Sequence, residues 1–162
     1  MIKAIFFDLG DTLIKEEAFL AEEKVETVLY VHEVLESLMG KYKLAVICDT
    51  DASGEEVDAL MKEAGIRQYF DTVVVSSEVG VAKPHERIFW VALRQLNLQP
   101  QEVIMVGNRI SKDILGGNKI GMKTVLFRWN DRYPEEATDE MEEPDYTITS
   151  LKEILPIIAE LV

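Results

Sequence analysis

A chain of 162 residues suits one domain, able to bury roughly 70% of the surface its unfolded form exposes. Its composition, 48% apolar and 29% charged, is that of an ordinary globular protein. A net charge of -13 excludes a general binder of nucleic acid or of anionic membrane surfaces, because both partners demand a basic face. No apolar run approaches the ~20 residues of a membrane span. The run Ala4–Phe7 is too short for a signal peptide and ends in a charge. Cys48 is the only cysteine, so no internal disulfide forms, and a reducing, cytoplasmic setting is expected.

In chain order, short apolar runs alternate with amphipathic stretches. Ile2–Phe7 reads as a strand that stops at Asp8. Val31–Met39 carries apolar residues at Val31, Val34, Leu35 and Leu38, a helical spacing. Leu44–Cys48 is the next strand. Ser53–Ala64 predicts a helix, with Ser53 as N-cap, Glu56 three residues on and Gly65 as the stop. Thr72–Val75 is β-branched and strand-like. Pro84 is expected to open a helix reaching about Leu96. Val103–Val106 is a strand, Ser111–Ile120 a helix ended by Gly121, and Thr124–Phe127 and Tyr146–Ile148 are further strands. Ser150 to about Leu161 closes the chain as a helix, with Ser150 and Glu153 as its capping box. Such alternation predicts an α/β fold: a parallel sheet covered on both faces.

Four positions then fall at the C-terminal ends of strands, where an open α/β sheet binds its ligands. They are Asp8, Cys48-Asp49-Thr50, the loop before Lys83-Pro84, and Gly107-Asn108 with Asp113. A carboxylate, small hydrogen-bonding groups, a lysine and an Asn/Asp pair converge in one crevice. That set suits a phosphoryl group and a hard divalent cation, since Mg²⁺ takes oxygen ligands and needs only one or two carboxylates. An aspartate nucleophile that forms an aspartyl-phosphate is established chemistry.

These residues resemble the haloacid dehalogenase superfamily, most of whose members are phosphatases. The pieces are Phe7-Asp8-Leu9 with Thr12-Leu13, the strand end at Cys48, and Gly80-Val81-Ala82-Lys83-Pro84 followed by Ile88-Phe89. They continue through Val106-Gly107-Asn108 with Asp113, Gly117 and Gly121-Met122, to Pro144-Asp145-Tyr146 and Leu155. The resemblance implies a three-layer Rossmann-like fold around a central parallel sheet, as a single domain over 1–162. It implies a Mg²⁺-dependent phosphatase acting on small or larger phosphate monoesters. Asp8 is then the nucleophile and Lys83 its neutralising partner. Cys48, the backbone N–H of Asp49, Lys83 and Asn108 hold the phosphoryl group. Asp8, the carbonyl of Gly10, Asn108 and Asp113 hold the metal.

Three positions depart from the family pattern. Gly10 stands where the acid/base of family phosphatases is expected, and Asp11 next to it points elsewhere. Cys48 replaces a hydroxyl by a weak thiol donor. Asn108 replaces a carboxylate. General acid–base help is worth ~10²–10⁴-fold, so slow turnover is expected, mostly for esters with poor leaving groups. Two rival readings stay open: a non-catalytic binding or assembly module of the same fold, and a metal-independent carbon–halogen hydrolase. A response-regulator-like phosphoacceptor is a weaker third.

Between Thr12 and Cys48 lie 35 residues, and between Cys48 and Lys83 lie 34. The elements in these intervals leave only 13–30 unassigned, enough for a flap or truncated cap but not for a usual cap domain. An uncovered site suits a large substrate or a homo-oligomer. The remaining expectations concern single residues. His32 is structural or superficial, and His85 is near the crevice rim. Trp90 is core. Trp129, Arg109 and Arg128 are candidate substrate contacts. The segment from Glu135 to Asp145, with seven acids, is a solvated loop.

Overall fold

The computed structural model describes residues 1–17 and 24–161, so part of the expected flap, residues 18–23, lies outside the described residues. Six parallel strands form one sheet, in the order β3-β2-β1-β4-β5-β6. They are β1 (Ala4–Phe7), β2 (Lys43–Cys48), β3 (Thr72–Val75), β4 (Val103–Gly107), β5 (Lys123–Phe127) and β6 (Tyr146–Ile148). The chain first winds outward from β1 to β3, then returns to the other side of β1 and winds out to β6. The order therefore reverses between β1 and β4, where Phe7 pairs with Val106, and the crevice of a doubly wound sheet opens there.

The strands alternate their side chains between two buried layers. Ile5 and Phe7 of β1 face one layer, with Val46, Ile104 and Val106. That layer is closed by α1 (Val31–Leu38), α2 (Gly54–Glu63) and α6 (Ile154–Leu161), through Val34, Leu35, Met61 and Ile158. Ala4 and Phe6 face the opposite layer, closed by Ile88, Phe89, Ala92 and Leu93 of α4 (Glu86–Gln95). Phe6, Phe7, Phe89 and Phe127 are among the largest fully buried side chains. Burial of a side chain of this kind stabilises by about 1.5–3 kcal/mol. A short helix α3 (Ser76–Val79) follows β3, and α5 (Leu115–Ile120) precedes β5. Gly116 lets α5 approach α4, since a Cβ there would lie 2.4 Å from the Phe89 ring.

The capping signals work as expected at two helices. The Ser53 side chain accepts from the Glu56 N–H, and the Ser150 N–H donates to Glu153 Oε1 at 2.9 Å. Two helix starts differ from the sequence expectation. Pro84 does not open α4: the Lys83–Pro84 peptide is cis, and His85 caps the helix, its Nδ1 accepting from the Arg87 N–H at 3.1 Å. The predicted helix Ser111–Ile120 begins instead as a π-helical turn, Ile110–Ile114, that passes into α5. Among the described residues, no helix is long and apolar enough to cross a membrane.

Candidate active site

The floor of the crevice is assembled by backbone first. The Asp8 N–H donates to the Val106 carbonyl at 2.9 Å, extending the pairing of β1 and β4 by one residue beyond the strand. The Asp8 carboxylate is thereby delivered to the reversal point with 13% of the side chain exposed. Thr12 Oγ1 donates to Asp8 Oδ2 at 3.2 Å.

Lys83 reaches the same carboxylate from the loop after α3. Its Nζ donates to Asp8 Oδ1 at 2.9 Å, to Asp113 Oδ1 at 2.8 Å and to the Ile47 carbonyl at 2.8 Å. An ammonium carries three donors, so each is used. The backbone N–H of Lys83 donates to Asp49 Oδ1 at 3.0 Å, which fixes the loop against the end of β2.

Asp113 comes from the π-helical turn after β4 and is fully buried. Its Oδ2 accepts from the Arg109 N–H at 3.1 Å. The turn fits only because position 107 is glycine: a Cβ there would lie 2.2 Å from Asp113 Cγ.

Two carboxylates and one ammonium share this buried corner. Burial, with Asp8 adding to it, pushes the Asp113 carboxyl well above the usual carboxylate range. Burial works against the Lys83 ammonium, but Asp113 and Asp8 outweigh it and hold the lysine above its ordinary value. Burial also pushes the Cys48 thiol up to about 12, so it is a neutral thiol at neutral pH. Such a buried, neutral thiol at the end of β2 is a poor nucleophile.

The structure brings the predicted site residues together. Asp8, Gly10, Cys48, Asp49, Lys83, Asn108 and Asp113 all line one cavity of about 460 Å³. Ile14, Val57 and Leu60 form an apolar wall, and Glu16, Arg109, Lys112 and Tyr133 add polar groups. Lys112 Nζ lies 3.1 Å from Asp49 Oδ2. Glu16, Lys112 and Tyr133 were not singled out by the sequence. Glu16 falls within the 13–30 stretch expected as a flap, but nothing in that stretch marked it.

The rim corrects several expectations. Trp129 is not a cavity residue: its Nε1 donates to the Asp11 carbonyl at 2.7 Å. Arg128 is turned away to the Glu135 carbonyl. Thr50 lines the cavity, and its Oγ1 accepts from the Ala52 N–H at 3.1 Å. Asp11 does point elsewhere, as expected: its carboxylate takes the Glu16 N–H at 2.8 Å and Arg132 Nε at 2.7 Å.

The acidic segment is not simply solvated. Glu135 receives Arg109 Nε at 3.1 Å and the Ser111 hydroxyl, and Asp145 Oδ2 accepts from the Thr124 N–H at 2.8 Å. Partial burial works against the Glu135 carboxylate, but Arg109 and Ser111 outweigh it and hold it below the ordinary value. Arg109 in turn stacks its guanidinium over the Tyr133 ring, 4.1 Å from the centroid. At the base of the flap, the Lys15 N–H donates to the Glu26 carbonyl and the Val28 N–H to the Leu13 carbonyl, closing a short ribbon over Gly10.

Residues 9–127 match the family described as haloacid dehalogenase-like hydrolase. A glyceraldehyde 3-phosphate phosphatase of Methanopyrus kandleri is 40% identical over 97 residues, which cover 60% of this chain and 42% of that protein. A pyrophosphatase PpaX of Bacillus mycoides is 32% identical over 141 residues, covering 86% of this chain and 63% of that one. The chain thus spans about half the length of these curated relatives. A crystal structure of a HAD phosphatase from Thermococcus onnurineus superposes with a TM-score of 0.80 at 21% identity, covering 97% of this chain and 98% of that one. At that identity the likeness is one of fold.

Proposed function

The chain belongs to the haloacid dehalogenase-like hydrolases, and from that premise we propose that it is a Mg²⁺-dependent phosphatase that hydrolyses phosphate monoesters through an aspartyl-phosphate on Asp8. The observation that carries the reading is the Lys83 ammonium, held between Asp8 at 2.9 Å and Asp113 at 2.8 Å on the floor of a substrate-sized cavity. The curated relatives named for phosphatase and pyrophosphatase activity support the same reaction class.

In this reading an Asp8 carboxylate oxygen attacks phosphorus and the ester oxygen leaves. Lys83 pairs with the Asp8 carboxylate at 2.9 Å and offers positive charge where phosphoryl charge gathers, the largest kind of contribution in such reactions. Thr12 orients the second Asp8 oxygen. Cys48 is a weak donor, so the backbone N–H of Asp49 and the Asn108 amide carry more of the phosphoryl cradle than a hydroxyl at position 48 would require.

The donor set fits a hard divalent cation. Two carboxylates, Asp113 buried and Asp8 nearly so, sit beside a single ammonium and leave one negative charge uncompensated, and burial beside Asp8 already pushes the Asp113 carboxyl up. Asp8, the Gly10 carbonyl, Asn108 and Asp113 would hold Mg²⁺, all through oxygen, as that ion prefers. When bound it supplies charge neutralisation for the phosphoryl oxygens.

The test is phosphate release from p-nitrophenyl phosphate with and without Mg²⁺. Activity is expected only with the metal, and Asp8→Asn is expected to remove it entirely. Turnover unchanged in Asp8→Asn would overturn the mechanism.

A further inference from the structure

Breaking a P–O bond to an alkoxide requires a proton for the departing oxygen, and the water that later attacks phosphorus must give one up. Five carboxylates line the cavity: Asp8, Glu16, Asp49, Glu56 and Asp113. Four are otherwise placed. Asp8 and Asp113 are paired with Lys83. Asp49 uses one oxygen on the Lys83 N–H and the other on Lys112. Glu56 sits on the exposed first turn of α2.

Glu16 differs from all four. Both of its carboxylate oxygens face one neutral donor, the Tyr133 hydroxyl, at 2.9 and 3.0 Å. Its backbone is fixed by the N–H bond to Asp11 Oδ1, and Asp11 is itself 1% exposed and held by Arg132. Its position is also informative. A Cβ built on Gly10 would point at this carboxylate, with Oε2 at 3.7 Å and Cδ at 3.8 Å. Glu16 therefore occupies the space into which a side chain two residues after Asp8 would project.

We propose that Glu16 is the acid/base of this site, reaching from the base of the flap into the room that Gly10 leaves open. The inference rests on the phosphatase reading above. In the first step Asp8 Oδ bonds to phosphorus, the P–O bond to the leaving group breaks, and the Glu16 carboxyl proton passes to the departing oxygen. In the second step water bonds to phosphorus and gives its proton to the Glu16 carboxylate. The Asp8–phosphorus bond then breaks, which returns both residues to their starting states. Tyr133 is a positioning residue that keeps the carboxylate aimed at the cavity.

The test compares two substrates, p-nitrophenyl phosphate, whose leaving group needs no proton, and glycerol phosphate, whose leaving group does. Glu16→Gln is expected to lower kcat/KM for glycerol phosphate by about 10²–10⁴-fold and for p-nitrophenyl phosphate by less than about tenfold. Tyr133→Phe, which keeps the carboxyl group, should produce the same split at smaller amplitude. The double variant Glu16→Ala/Gly10→Asp should recover at least tenfold of the glycerol phosphate activity lost in Glu16→Ala, because it places a carboxylate in the same space from the other side. Equal losses on the two esters, or no loss, would overturn the role of Glu16 while leaving the phosphatase intact. A wild-type protein that releases phosphate from neither ester with Mg²⁺ would overturn the phosphatase reading itself, and the role of Glu16 with it.

Discussion

The floor and the rim of the cavity are built by different physics. The floor hangs from strand ends: Asp8 after β1, Cys48 at the end of β2 and Asn108 after β4, each set by parallel pairing. Its charged groups are almost entirely removed from water, with the Lys83 side chain 1% exposed. The rim is a chain of side chains that cross long stretches of sequence: Glu135 holds Arg109, Arg109 stacks on Tyr133, and Tyr133 holds Glu16. Each rim contact is only partly buried. A floor of this kind fails as a unit when one charge is removed, whereas a rim loses strength one contact at a time.

The sharpest way to break that contrast is Lys83→Met. It leaves Asp8 and Asp113 facing each other without a cation, and breaking a buried pair in this way costs about 3–5 kcal/mol. Urea denaturation should register that loss alongside lost turnover; a stability change under about 1 kcal/mol would mean that the floor is not a coupled unit. Gly107→Ala should cost about 1–3 kcal/mol, since the new Cβ collides with an Asp113 that three hydrogen bonds hold in place. It should also impair turnover without altering any charged group.

The smallest effect on stability is expected at the rim. Glu135→Gln should lower stability by about 1 kcal/mol near neutral pH, the scale of one charge-assisted hydrogen bond in a partly exposed setting. The sign of its pH dependence follows from the depressed carboxyl of Glu135. The stabilisation is fully present above the unfolded value of about 4.3 and is lost as pH falls through the lower folded value. The wild type and Glu135→Gln should therefore converge in stability below about pH 4. Convergence that sets in nearer pH 6 would show that another group controls the rim.

The floor was legible in the sequence because strand ends are marked locally. An apolar run stopping at Asp8, and another at Cys48, state where a carboxylate and a small residue will stand, and parallel winding brings the ends together. Helix boundaries were legible where a side chain caps its own turn, as at Ser53 and Ser150. The start of α4 was misjudged because Pro84 has the φ that suits a first helical turn, while the chain uses it in the bend before His85. Of the rim, only Arg109 was singled out in sequence, and its partners were not. Glu16 and Tyr133 are 117 residues apart, and nothing in either neighbourhood encodes the other.

What this sequence determined by itself is the order of elements and the identity of the groups at each strand end, because pattern and capping act within a few residues. What only the tertiary structure decided is how those groups share charge and room. One ammonium serves two carboxylates because the C-terminal ends of β1, β2 and β4 lie side by side. The glycine two residues after Asp8, an omission when met in sequence, opens a space that Glu16 enters from the base of the flap. Both depend on excluded volume and desolvation between segments far apart in the chain, and those quantities exist only once the sheet has formed.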